Sequence, residues 1–279
     1  MSTKGEMSSE QTKRYRRQIL LQGVGEEGQL KLLQSRVLLV GAGGLGSPIA
    51  LYLAAAGVGA LGIVDFDRVD LSNIHRQILH GTGDVGRSKT ESAMATLLRA
   101  NPDMAVTAHQ ERFTPANALS LVDEYDVVVD GADNFETKFL LNDAAYFAGK
   151  PYVFGGAVGF DGQASLFFPK GGGPCLRCMI PEIPPPGTVP PCDEVGVLNV
   201  VPGQIGLIQA GEILKFILGI GKSLLGRFLV YNFLEGDFRT ITVPRNPKCP
   251  LCGEHPRITD LSGSYTVAST CISHPSPDE

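Results

Sequence analysis

The chain has 279 residues, 43% of them apolar, which is enough to bury a sizeable core, and its formal net charge is −5. That charge leaves no basic footprint for nucleic acid, and the polar start MSTKGEMSSEQTKRYRRQ holds no apolar run of signal-peptide length. The most apolar stretch, 205–221, is interrupted by Gln209, Glu212 and Lys215, so it reads as a core helix rather than a membrane span, and the chain as cytoplasmic. In that compartment six cysteines point to metal ligands or reactive thiols rather than disulfides.

In chain order, residues 1–12 are polar and expected to be mobile. Residues 13–34 read as short helical pieces with a basic start. The strand RVLLV, 36–40, runs into a glycine turn in which Gly41, Gly43 and Gly46 spell G-x-G-x-x-G. An alanine-rich helix follows, closed by Gly57, and then a strand at 60–67. This βαβ unit predicts a parallel sheet. A helix over 86–100, a strand over 104–110 and a buried strand over 125–133 come next. A helix over 134–149 has apolar spacing of three and four, and strands follow at 151–158 and 162–168. From 169 the sequence PKGGGPCLRCMIPEIPPPGTVPPC is too rich in Pro and Gly for regular structure and reads as a long crossing loop. A helix over 203–219 and the strands FLVYNF and FRTITV complete the core. The Ser/Thr/Pro-rich tail, 258–279, is expected to be disordered. The folded unit is thus 13–257.

Each motif carries a functional and a plain structural reading. A glycine turn opening a helix suits any phosphate, because the leading N–H groups are free and the dipole is positive there, but it also serves as a bare turn. Asp65, 19 residues after Gly46, stands where an acid holds a ribose hydroxyl, so an NAD-dependent oxidoreductase is one candidate function. Asp67, Ser72, Asn73 and Arg76 crowd the loop after it. Arg76 could fork onto a triphosphate and Asn73 could donate to phosphate oxygens, although the same loop could be a solvated turn with a Ser or Asn helix cap. Lys89 opens a helix and could place a charge on a β- or γ-phosphate, or be a plain surface lysine. Asp133 ends the most buried strand, where it could hold Mg²⁺ or cap helix 134–149. Cys175-x-x-Cys178 and Cys249-x-x-Cys252 make a four-thiolate set for structural zinc, pinning the crossing loop to the C-terminal segment. His255 lies close enough to replace a ligand, but four cysteines already fill the shell. Cys192 stands alone on the crossing loop, as a reactive thiol or as a small buried hydrophobe.

Taken together, RYRRQ (14–18), GAGGLGS (41–47), DFDRVDLSNIHRQ (65–77), VGRSK (85–89), DGADN (130–134) and the paired C-x-x-C resemble the MoeB/ThiF/HesA adenylyltransferases, bacterial relatives of ubiquitin-activating enzymes. The resemblance runs from about residue 13 to about 253. It implies a Rossmann-like α/β fold with a mixed sheet that binds ATP and Mg²⁺ and carries structural Zn²⁺. It implies adenylation of the C-terminal carboxylate of a small ubiquitin-like sulfur carrier ending in Gly-Gly, releasing pyrophosphate, in molybdopterin or thiamin-type sulfur transfer. By the same resemblance Gly44 contacts phosphate, Asp65 contacts the ribose, and Asn73, Arg76 and Lys89 neutralise phosphates. Asp133, beside Asn134, holds Mg²⁺, and Arg17 reaches the nucleotide from a partner subunit, implying a homodimer. Cys192 matches a loop cysteine that some members use covalently. No sulfur-transfer domain is read after residue 253, so a separate sulfur donor is expected. A third candidate function is a non-catalytic scaffold that binds a small β-grasp partner through the crossing loop.

Overall fold

The computed structural model describes residues 6–185, 195–263 and 265. Its elements are α1 (Ser9–Ile19), α2 (Gly25–Gln34), β1 (Arg36–Val40), α3 (Gly46–Ala56), β2 (Ala60–Val64), α4 (Lys89–Ala100), β3 (Ala105–His109), α5 (Ala118–Asp123), β4 (Val127–Asp130), α6 (Phe135–Ala148), β5 (Tyr152–Val158), β6 (Asp161–Phe167), α7 (Leu176–Met179), α8 (Val200–Leu218), β7 (Arg227–Asn232) and β8 (Asp237–Thr242).

One eight-stranded sheet runs in the order β3-β2-β1-β4-β5-β6-β7-β8. The first five strands are parallel, and β6, β7 and β8 are antiparallel. This is the mixed α/β sheet the motifs implied. Strands β1 and β4 read as unbroken apolar runs because both faces of the sheet are covered. Val37, Leu39, Val127 and Val129 pack with α3, α4 and α8, while Leu38, Val40 and Val128 pack with α5 and α6.

Helix α8 shows why its polar interruptions belong to a core helix. Gln209, fully buried, donates through Nε2 to the carbonyls of Asp130 and Val153. Buried Glu212 accepts the Leu224 amide at 2.6 Å and pairs with Lys215. Among the described residues no helix is long and apolar enough to cross a membrane.

Several expected boundaries move. Helix α1 already starts at Ser9, inside the segment expected to be mobile. Ser8 accepts from the Gln11 amide, and Gln11 accepts from the Ser8 amide in return. Among its described residues the crossing loop is not wholly irregular: a short 3-10 turn at Pro169–Gly171 is followed by the helical turn α7, where the zinc-type motif itself winds up. Beyond 258, Leu261 and Tyr265 are buried against the α5–α6 side of the core, and the Tyr265 hydroxyl donates to Asp143 at 2.9 Å. Residues 266–279 of the expected tail lie outside the described residues.

Candidate functional site at the sheet switch point

The chain leaves β1 toward β2 on one side and reaches β4 on the other, so the crevice beyond the carboxyl ends of β1 and β4 is the topological switch point. The glycines make that crevice. Gly41 takes φ +97°, which L-residues with side chains rarely adopt, and a Cβ there would lie 2.7 Å from the Gly131 carbonyl carbon. A Cβ on Gly131 would in turn overlap the Gly41 carbonyl oxygen. Two backbone turns thus pass each other in contact. Helix α3 begins at Gly46 with Leu45 at its cap, and no side chain there accepts a hydrogen bond from its leading amides. That end of α3 suits an anion.

Asp65 ends β2 and is nearly buried. It accepts the Ala42 amide and the Asp67 amide, each at 2.8 Å. Burial pushes its carboxyl above the usual range, with Lys89 and the two amides opposing. Lys89, at the start of α4, is also nearly buried and donates to Asp67 Oδ2 at 2.9 Å. Arg76 Nη2 donates to Asn73 Oδ1 at 2.8 Å. Its Cγ lies 3.6 Å from where a Gly44 Cβ would stand, with Pro202 of α8 closing the other side. Asn199 Nδ2, just before α8, donates to the His75 carbonyl and ties that helix to the loop. The predicted Gly41, Gly43, Gly44, Gly46, Asp65, Asp67, Asn73, Arg76 and Lys89 therefore converge on one edge of the sheet.

Two capping expectations are corrected. Asp70, not Ser72 or Asn73, caps the short turn Leu71–Asn73, and exposed Ser72 donates its hydroxyl to Asp70. The cap of α6 is Asn134, which accepts the Thr137 amide at 2.9 Å. Asp133 is left exposed, and its carboxylate accepts a long hydrogen bond from Asn134 Nδ2 at 3.4 Å. The sequence could not separate capping from ligation at Asp133; the geometry gives the cap to its neighbour.

Arg17 is not part of this edge within one chain. It is exposed, and its neighbour Gln18 donates to the Ala56 carbonyl at the C-terminal end of α3. Eleven helical residues, about 16 Å, separate that end from the glycine turn. Cys192 lies outside the described residues.

Sequence reasoning passed over several buried polar residues. His80 Nε2 lies 3.0 Å from the Ala42 carbonyl and Nδ1 lies 2.9 Å from Ser92 Oγ. A carbonyl only accepts, so Nε2 carries the proton and Nδ1 accepts from the hydroxyl. Burial lowers the His80 pKa and keeps the ring neutral at pH 7. Asp130 is fully buried against Lys138 and Tyr152. The available signal was a lone lysine on the apolar face of a helix.

The four cysteines form a second centre. Their sulfurs stand 3.4 to 3.9 Å apart across Cys175–Cys178, Cys175–Cys249, Cys178–Cys252 and Cys175–Cys252. Four ligands at about 2.3 Å around tetrahedral zinc have edges of about 3.8 Å, so this cluster could hold the ion. Exposed His255 is not part of it. Arg177, between the first two cysteines, makes a two-pronged pair with fully buried Asp143 of α6, at 2.8 Å through Nε and Nη2. One helix thus carries Asn134 at its start and anchors the cysteine cluster near its end.

A family model described as the ThiF family matches residues 15–251. The chain belongs to the ThiF family. It is 49% identical over 258 residues to the sulfur carrier protein adenylyltransferase of Thermus thermophilus, covering 91% of this chain and 95% of that one. It is 50% identical to the probable adenylyltransferase/sulfurtransferase MoeZ of Mycobacterium tuberculosis, but spans only 64% of that longer protein. The crystal structure of Escherichia coli MccB with ATP superposes with a TM-score of 0.72 at 25% identity, covering 80% of this ThiF-family chain and 68% of that one.

Proposed function

We propose that this ThiF-family chain uses ATP to adenylate the C-terminal Gly-Gly carboxylate of a small ubiquitin-like sulfur carrier. One carboxylate oxygen attacks the α-phosphorus, the bond to the bridging oxygen of the β-phosphate breaks, and pyrophosphate leaves with that electron pair. A carboxylate is already ionised at pH 7, so no general base is required. The difficulty is bringing an anion to a polyanion, and cations must neutralise both the reacting centre and the leaving group. In this reading Arg76, whose side chain lies against Gly44, and Lys89 neutralise the phosphates at the α3 N-terminus. Asp65 accepts from a ribose hydroxyl, and Gly44 lets the backbone approach the phosphates. Asn73 orients the Arg76 fork. Asp133 is the exposed carboxylate to hold Mg²⁺, which when bound would screen the leaving pyrophosphate.

The observation that carries this reading is the convergence of Arg76 on Gly44 at the switch point, with the exposed carboxylate of Asp133 just past the end of β4. Hydride transfer to a nicotinamide gives none of these three a task. The name of the Thermus relative supports a sulfur carrier as the acceptor. Zinc in the four-cysteine cluster, a homodimer in which Arg17 serves the partner's nucleotide, a separate sulfur donor and a cytoplasmic location complete the proposal. The distance of α1 from the glycine turn of its own chain supports the dimer. Unpaired, clustered thiols suit a reducing compartment. Cys192 is a candidate thiol for a later covalent sulfur-transfer step.

The test is to incubate the protein with ATP, Mg²⁺ and a panel of Gly-Gly-ended molybdopterin-type and thiamin-type carriers. Intact-mass analysis is expected to show one carrier gaining an AMP. A panel without any adenylated carrier, combined with tight NAD binding, would replace the proposal with the oxidoreductase.

A further inference from the structure

The loop that presents Asp133 is clamped from below by a buried ion pair. Asp130, the last residue of β4, is registered opposite Val40, the last residue before the glycine turn. The Gly131 amide donates to the Val40 carbonyl at 2.8 Å, and Asp130 Oδ1 accepts the Ala132 amide at 2.9 Å. One turn into α6, Lys138 reaches back under the loop. Its ammonium donates to Asp130 Oδ2 at 2.8 Å, to the Ala132 carbonyl at 2.8 Å and to the Gly155 carbonyl of β5 at 2.6 Å. Those three acceptors use all three of its donors. The Tyr152 hydroxyl adds a bond to Asp130 Oδ2 at 3.0 Å, and Gln209 of α8 holds the Asp130 carbonyl. Lys138 is 6% exposed and Asp130 is not exposed at all.

Stability alone is a weak reason for such a pair, since two apolar residues of similar volume often serve as well in a core. Its placement supplies a better one. Ala132 is gripped through its N–H by Asp130 and through its C=O by Lys138, and Asn134 is fixed as the cap of α6. Asp133 is the one residue between these two fixed points, and its carboxylate faces solvent.

We infer that Lys138, paired with Asp130, is a positioning residue that sets where the Asp133 carboxylate stands beyond the carboxyl end of β4. The inference rests on the reading of Asp133 as the magnesium-holding carboxylate. Lys138 and Asp130 are both buried, and their hydrogen bonds go to groups of the protein itself.

The test uses the whole 279-residue chain, purified without chelators, and measures ATP binding by calorimetry with Mg²⁺ and in magnesium-free buffer. The variant Asp130→Asn/Lys138→Met removes both charges together, so no unpaired buried ion remains to unfold it. It is expected to keep its zinc content and its magnesium-free ATP affinity. Its apparent Mg²⁺ affinity is expected to fall about 10- to 100-fold, as for other partners that orient a metal ligand. Asp133→Ala is run beside it. If Asp133→Ala loses the magnesium response and the double variant keeps it, the positioning role is wrong while the magnesium reading stands. If Asp133→Ala also keeps the response, both are wrong. A second readout needs no variant. In the ligand-free protein the Ala132 amide is expected to exchange its hydrogen as slowly as amides inside β4, and fast exchange there would overturn the inference.

Discussion

Gly46 packs so tightly against Gly41 that a Cβ added to Gly46 would stand well inside contact of the Gly41 carbonyl oxygen. By contrast, the nearest atom to a Cβ on Gly43 would be Gln77 Nε2, at 3.6 Å. The first and third glycines of the motif therefore serve the turn and the helix–strand packing, while the second has room to spare. That spare room is where a phosphate would approach.

Gly46→Ala is expected to destabilise the protein by about 3 kcal/mol or more, because backbone rather than a flexible side chain blocks the new methyl. Gly43→Ala is expected to cost less than about 1 kcal/mol and to weaken ATP binding instead. Urea denaturation and nucleotide titration of the two variants check the split.

The cysteine cluster predicts about one zinc per chain, since four thiolates complete one tetrahedral shell. Removing the metal by chelation, or replacing the partly exposed Cys178 by Ser, is expected to lower the melting temperature and to loosen α7. Elemental analysis together with thermal melts checks this, and a metal-free protein with an unchanged melt would count against it.

Fully buried Asp143 predicts unequal costs for losing two of its partners, Arg177 and Tyr265. Arg177→Met leaves a fully buried carboxylate without its cation and is expected to cost about 3–5 kcal/mol. Tyr265→Phe removes one hydrogen bond from the same carboxylate and is expected to cost about 1 kcal/mol. Comparison of the two variants by denaturant unfolding checks the ratio.

His80 predicts a pH dependence. Its pKa is lowered by burial, so between its folded value and the ordinary value near 6.5 the unfolded chain binds a proton that the native chain does not. Its contribution to stability is therefore complete above about pH 6.5 and is lost as the pH falls below that. The limiting slope is about 1.4 kcal/mol per pH unit. His80→Asn is expected to be less stable at pH 7.5 and to show a flatter decline toward pH 5.5, measured by unfolding across that range.

Most of the sheet was legible because β1, β2 and β4 are short apolar runs punctuated by glycine, acid or both. The glycine motif and the paired C-x-x-C have fixed spacings, so they too could be read directly. Within the antiparallel edge, β5–β6 and β7–β8 are short local hairpins, but the β6–β7 pairing joins segments some sixty residues apart, such as Ser165 and Phe228, which local pattern does not encode. Caps were ambiguous because Asp133 and Asn134 are chemically equal candidates, and only backbone geometry selects Asn134. Lys138, Asp130 and His80 were invisible as site residues because what matters is what they touch. Lys138 lies eight positions from its carboxylate and seventeen from the carbonyl of β5 that it also holds.

The most direct measurement is exchange of labelled pyrophosphate into ATP, with and without a Gly-Gly-ended carrier. Exchange is expected only when the carrier is present, abolished by deleting its last glycine and reduced about 10²- to 10³-fold by Arg76→Ala or Asp133→Ala. Exchange without a carrier, or exchange unaffected by those two substitutions, would contradict the proposed adenylation.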